Sequence, residues 1–209
     1  MLWEAAALPL ATITAWEGLI DRANVHTGQD VLIHAGAGGV GHVAVQVARA
    51  FGGNVFATVS PDKAFIVEGY GATPIDYRSK SVEEYTAMYT EGACFDIIYD
   101  MIGGATRDAS FVAVKRYTGH VLSSLGWRTH ALAPLSFRGA TYSGVFTLYP
   151  LLSGSGRERH GAILTKAAKL VESGQLIPLL NARRFSPQQI DSAYAHVESG
   201  SLGKVVVEF

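Results

Sequence analysis

Apolar residues along this chain fall into short unbroken runs that alternate with stretches of helical spacing. Val31, Leu32 and Ile33 form one run, and Val40, Val43, Ala44, Val47 and Ala48 then recur at the period of a helix lying on a core. Asn54 to Val59 (NVFATV) predicts a second buried strand, and Pro61 opens a helix that runs to about Tyr70. A short strand is expected around Pro74 to Asp76. Ser81, with Glu84 three residues on, is a capping-box signature for a helix through about Tyr89. Phe95 to Tyr99 and His120 to Leu125 predict a fourth and a fifth strand, separated by a helix from about Ala105 to Val114. Ala140 to Leu148 reads as a sixth, aromatic and β-branched.

Strand and helix alternate from 31 to 125, which predicts an α/β fold: a doubly wound parallel sheet with right-handed crossovers and strand order 3-2-1-4-5-6. Residues 3 to 24 read as two lead-in helices split at Leu8-Pro9. After about residue 149 the pattern changes. A polar break at Gly154-Ser155-Gly156 precedes a helix from about Ala162 to Glu172, Ser186 and Pro187 open another, and Gly203 to Phe209 is a terminal strand. The expected organisation is a sheet domain over 1–148 and a C-terminal helix/strand tail over 149–209.

The turn after the first strand carries glycine at 36, 38, 39 and 41. Gly36, Gly38 and Gly41 satisfy G-x-G-x-x-G between a strand and a helix, the arrangement that holds a dinucleotide diphosphate. The first glycine is expected to serve the turn, the second to admit the diphosphate, and the third to let the helix pack on the strand. Free N–H groups at the helix start supply the donors. Ligands of such a sheet sit at the carboxyl ends of its strands, here Ala35-Gly36, Ser60, Asp100 and Leu125-Gly126. The end of the second strand is selective, because a carboxylate there binds a ribose 2′-hydroxyl and repels a 2′-phosphate. This chain has Ser60 there, with Lys63, Tyr77 and Arg78 within reach, which favours NADP(H) over NAD(H). Lys63 and Arg78 also read as ordinary surface residues, and Asp62 could serve NAD from two residues further on. The absence of a carboxylate at 60 argues against the rival reading, an S-adenosylmethionine methyltransferase. Asp100 reads equally as a ligand-positioning group or a turn cap, and His34 as a satisfied interior histidine.

Composition narrows the partners. Of 209 residues 48% are hydrophobic and 17% charged, and the net charge is −1, so no basic surface for nucleic acid is expected and some apolar area should be covered by a subunit or domain. Mean hydropathy is +0.19, yet the apolar run Ala5 to Trp16 is broken by Pro9 and is shorter than the about 20 residues a membrane span needs. The single cysteine, Cys94, excludes an intrachain disulfide, fits a cytoplasmic location, and reads as a small buried hydrophobe. Seven histidines form no H-E-x-x-H and no Cys/His cluster, and no G-x-S-x-G elbow is present, so no metal site is expected in this chain and no residue takes a catalytic role from sequence.

Several segments together resemble one family. AAALPLATITAWEGL (Ala5 to Leu19), HAGAGGVG (His34 to Gly41), FDIIYDMIGG, GHVLSSLGW and GKVVVEF are similar in order and spacing to the medium-chain dehydrogenase/reductase superfamily, especially its zinc-independent quinone oxidoreductase-like branch. The resemblance covers nearly the whole chain. It implies a Rossmann domain and NADPH-dependent reduction of a quinone or activated C=C bond, a small-molecule substrate. It implies that Gly38, Gly39 and Val40 face the diphosphate, and that Ser60, Lys63 and Tyr77 surround the 2′-phosphate. It further implies that Leu125, Gly126, Phe146 and Thr147, with Thr14 nearby, border the nicotinamide end, and that Lys204 lies near the cofactor phosphates. Members carry a barrel-like catalytic domain ahead of the segment that begins here, on which the tail packs, so this chain is expected to be the coenzyme-binding portion. A homodimer through the 140–148 strand is also implied. A non-catalytic NAD(P)-binding module and a zinc-dependent alcohol dehydrogenase with its metal site in the other domain are the alternatives.

Overall fold

A computed structural model describes residues 2–209, and in it the buried apolar runs become six parallel strands. β1 (Asp30–Ile33), β2 (Asn54–Val59), β3 (Thr73–Asp76), β4 (Ile97–Asp100), β5 (His120–Ser123) and β6 (Thr141–Gly144) lie in the order β3-β2-β1-β4-β5-β6, as expected. Leu32 pairs with Phe56 on one side and Ile98 on the other. Side chains alternate between faces along each strand. Val31 and Ile33 therefore join one core and Leu32 the other.

The lead-in is α1 (Leu2–Ala7) and α2 (Pro9–Trp16), which continues as a π-helical segment, Glu17–Arg22. α3 (Gly41–Ala50) packs with α2 on one face of the sheet, joined by Val67 of α4 (Ala64–Gly69). The opposite face is covered by α5 (Val82–Thr90), α6 (Gly104–Ala113) and α7 (Ala133–Ser136) through Tyr85, Phe111 and Leu135. The capping box at α5 is present: Ser81 Oγ accepts from the Glu84 N–H at 3.2 Å, and the Glu84 carboxylate accepts from the Ser81 N–H at 2.7 Å. Pro74 sits on an edge strand, where a missing N–H is tolerated.

Several boundaries differ from expectation. The fourth strand is 97–100 rather than 95–99, because Phe95 instead bridges Val114. β5 stops at Ser123, whose hydroxyl turns to Asp100. The sixth strand, expected over Ala140 to Leu148, is only Thr141–Gly144. Leu148 opens α8 (Leu148–Ser153), a helix that buries none of its residues and exposes Leu148, Tyr149, Leu151 and Leu152. α9 (Arg157–Glu172) begins five residues before Ala162.

The tail closes on the rest of the chain. Ile163 and Ala167 of α9 share a core with Ala11 and Ala15 of α2. The buried Gln46 amide donates to the Ile177 carbonyl at 2.9 Å and accepts from the Ile177 N–H at 2.8 Å. β7 (Leu180–Phe185), not expected from sequence, and β8 (Lys204–Val207) form a separate parallel pair, flanked by α10 (Ile190–Glu198). The Arg184 guanidinium lies 3.7 Å over the Trp3 ring of α1. No helix among the described residues is long and apolar enough to cross a membrane.

Candidate functional site

The glycine loop divides its work differently from the simplest reading of its spacing. None of its glycines has positive φ; the left-handed residue is Ala35, at φ 56°. Gly36 is needed for closeness instead, since a Cβ there would lie 2.6 Å from Ala57 Cβ of β2, and its N–H donates to the Thr58 carbonyl at 2.9 Å. Gly41 locks α3 onto the loop: a Cβ would stand 1.9 Å from the Ala35 carbonyl oxygen. Gly39 is exposed, with only Lys204 near its open side, 3.8 Å from a would-be Cβ to Nζ. Val40 is the N-cap of α3. The N–H groups of Gly39, Val40 and Gly41 find no acceptor among the described residues. These are the free donors of a helix start, and they favour an anion.

From this loop a cavity of about 600 Å³ runs along the carboxyl ends of β1 and β2, lined by His34, Gly38, Ser60, Lys63, Tyr77 and Lys80 among others. The three residues singled out beside the second strand, Ser60, Lys63 and Tyr77, thus border one space. A hydrogen bond from Ser60 holds the Asp62 carboxyl below the usual carboxylate range, helped by Lys63 and Arg78. Arg78 itself stands over the Tyr77 ring at 5.7 Å and does not line the cavity. Lys63 and Gly38 also line a second space, about 390 Å³, shared with Gly39, Ser201 and Lys204. Ser201 Oγ is buried there without a partner. The tail thus brings a cation and an unsatisfied hydroxyl to the glycine loop.

The other predicted residues gather further along the sheet. The hydroxyls of Thr14 and Thr147 lie 3.4 Å apart, 133 positions apart in sequence, and the Tyr99 hydroxyl donates to the Thr14 carbonyl at 2.7 Å. Phe146 packs edge-on to Trp127 at 5.4 Å and lines a cavity of about 540 Å³ with Glu17, Asp21, Arg22 and Tyr149. Leu125 is partly exposed beside Gly103, and Gly126 lies against Tyr142. None of these lines the cavity around Ser60.

Two buried groups settle into structural work. Asp100 is wholly buried; its Oδ1 accepts from the N–H groups of Ile102 and Gly103 at 3.0 and 2.9 Å, and its Oδ2 from Ser123 at 2.8 Å. It caps the turn after β4. His34 is held by Thr58 at Nδ1, 3.3 Å, and by Ser110 at Nε2, 3.1 Å. Because Ser110 donates to the Thr106 carbonyl at 2.8 Å, it accepts from Nε2–H, which leaves Nδ1 as the acceptor. Burial pushes this neutral imidazole down to about 4, against the pull of Asp100. Cys94, expected to be buried, is half-exposed, with an Arg138 guanidinium nitrogen 3.8 Å away.

Sequence reasoning missed Lys80, Tyr85 and Thr106 in the first cavity and Ser201 in the second. They arrive from loops and helices on both sides of the sheet, and no local pattern marks them. Among the described residues no group of three His, Cys, Asp or Glu side chains comes together as a metal would require.

The sequence pattern of the family described as zinc-binding dehydrogenase matches residues 70–207. An alcohol dehydrogenase superfamily protein from Novosphingobium aromaticivorans is 54% identical and superimposes with a TM-score of 0.92, over 95% of this chain and 60% of that one. The CurK enoyl reductase is 26% identical with a TM-score of 0.83, over 98% of this chain and 62% of that one. The 2-methylene-furan-3-one reductase of Solanum lycopersicum is 32% identical over 98% of this chain and 46% of its own length. The chain spans less than half the length of the curated relatives it matches.

Proposed function

Because the chain belongs to the zinc-binding dehydrogenase family, we propose that it is the coenzyme-binding portion of an NADPH-dependent oxidoreductase that reduces a C=C bond conjugated to a carbonyl, an enone or a quinone. The observation that carries this reading is the set of complementary groups along the carboxyl edge of the sheet, with the loop cavity and the Ser60 cavity joined through Gly38 and Lys63. Three unpaired amides, Lys204 and the unpartnered Ser201 hydroxyl suit a diphosphate. Ser60, Lys63, Tyr77 and Lys80 suit a 2′-phosphate, since two cations and no carboxylate line their cavity, with Asp62, Asp76 and Glu84 outside it. Thr14 and Thr147 suit the polar rim of a nicotinamide, and Phe146, Leu125 and Gly126 its apolar side.

When bound, the dinucleotide would supply a hydride, which together with one proton saturates the C=C bond of an enone or converts a quinone to its hydroquinone, leaving NADP+. The work of this chain is to grip both phosphates, fix the ring against Thr14, Thr147 and Phe146, and exclude water from it. Two relatives whose names specify reduction of an enoyl or methylene-furanone group support the C=C class over a simple carbonyl. A zinc ion does not fit the residues here, since no three ligands converge among the described residues. Residues 1–148 act as the coenzyme domain and 149–209 as the tail that completes the phosphate site. The unpaired edge of β6 and the exposed apolar helix α8 beside it support a homodimer in which β6 pairs with its twin.

The test is NADPH consumption with an enone, a quinone and a saturated ketone, using a protein in which this chain is joined to the part of the Novosphingobium relative that it does not cover. Turnover of the first two and not the third is expected. Ketone reduction alone would move the reading to an alcohol dehydrogenase, and binding without turnover of any of the three to a nucleotide-binding module.

A further inference from the structure

We infer that His42 is a positioning residue that aims the diphosphate loop: its imidazole holds the Gly38 carbonyl inward and thereby turns the Gly39 N–H outward to the ligand. This rests on the NADP(H) reading of the site. His42 lies one residue inside α3 and is completely buried. Its Nδ1 is 2.8 Å from the Gly38 carbonyl oxygen, to which the His42 backbone N–H also donates at 3.2 Å. A carbonyl can only accept, so Nδ1 carries the proton and Nε2 is a bare lone pair. Nε2 is buried with no partner, which leaves the ring one polar task.

The consequence follows from peptide geometry. No peptide bond among the described residues is cis, so the Gly39 N–H points opposite to the Gly38 carbonyl. It finds no acceptor among the described residues and sits in an exposed residue facing Lys204. The peptide joins two glycines, whose backbones have the widest choice of dihedral angles. Without the ring, only the 3.2 Å backbone bond opposes a flip that would aim a carbonyl oxygen, rather than an N–H, at an anion. Burial holds the imidazole below its ordinary pKa, and nearby Lys204 adds to this, so the ring meets the diphosphate uncharged. Its contribution is geometric.

Three variants test this. His42→Asn places an amide nitrogen the same number of bonds from Cα as Nδ1; His42→Leu keeps the branching without a donor; His42→Gln carries its amide one bond too far. Each is titrated with NADPH and with adenosine 2′-monophosphate, which lacks the diphosphate, and its melting is recorded without ligand. Leucine and glutamine are expected to weaken NADPH about tenfold, the scale of one hydrogen bond to a charged group, and to leave the monophosphate unchanged. Asparagine stays within about threefold of the unsubstituted chain. Unchanged NADPH affinity in folded His42→Leu and His42→Gln overturns the inference, as does equal loss of both ligands or an asparagine no better than glutamine. If the unsubstituted chain binds neither ligand, the cofactor reading itself falls; if it binds both and the variants match it, only the role of His42 does.

Discussion

Gly41→Ala and Gly39→Ala differ by two positions and should have opposite effects. A Cβ at 41 would lie 1.9 Å from the Ala35 carbonyl oxygen, 2.8 Å from its carbon and 3.1 Å from Gly36 Cα. All three are backbone atoms, so no side chain can rotate away. Ala35 already has a left-handed backbone, which leaves the loop little room to yield. The first turn of α3 must move outward by roughly 1 Å, and overpacking of this kind costs about 3 kcal/mol, the upper part of the usual range. For a chain of this size that is a fall in melting temperature of roughly 6–12 °C. At 39 the added methyl meets nothing closer than Lys204 Nζ at 3.8 Å, so melting should hold within about 2 °C. The same methyl would stand where the diphosphate approaches, and NADPH affinity should fall about tenfold or more. Calorimetry and ligand titration on both variants check this. A Gly41→Ala chain that melts with the unsubstituted one refutes the packing argument, and a Gly39→Ala chain that keeps full NADPH affinity removes the loop from the ligand surface.

Ser60→Asp places a carboxylate beside Asp62 at the proposed 2′-phosphate; charge repulsion near the protein surface, discounted for screening, is worth about 2 kcal/mol, so NADPH should weaken roughly 30-fold while NADH does not. Unchanged selectivity on titration would detach Ser60 from the phosphate. His34, pushed down to about 4 in the fold, is neutral when folded and protonated when unfolded between that value and the ordinary 6.5. Stability is therefore full above about pH 6.5 and falls by about 3 kcal/mol as pH drops to about 4, a slope that urea unfolding of His34→Gln should show flattened. Gly144→Pro tests the dimer: the Thr141 and Val145 N–H groups bond back to β5, which turns the Gly144 N–H to the free edge, and a Cβ there meets nothing. Light scattering should then report a monomer of unchanged fold; a dimer would place the interface elsewhere.

The sheet was legible because buried parallel strands are apolar throughout, as in NVFATV, whose ends match β2 residue for residue. The α5 cap was legible because Ser81 and Glu84 interact within one turn. β7 was not: Arg183 and Arg184 interrupt its apolar pattern, and it is a strand because β8 pairs with it. The sixth strand was read four residues too long, because apolar Val145, Phe146 and Leu148 continue its pattern past Gly144. In the site, Ser60, Lys63 and Tyr77 could be found from strand ends alone. Lys80 and Ser201 reach the site only through tertiary packing, and the burden borne by Ala35 rather than Gly36 depends on how closely β2 approaches the loop.

The central claim is that the run from Lys204 through the glycine loop to Ser60 and Lys63 is an NADP(H) site. Paired titrations of the chain with NADPH and NADH, read by fluorescence of the cofactor and of Trp127 beside Phe146, test it most directly. The account predicts saturable binding of both, with NADPH tighter by about tenfold or more. Equal affinity would contradict the phosphate assignment, and binding of neither would contradict the coenzyme site itself.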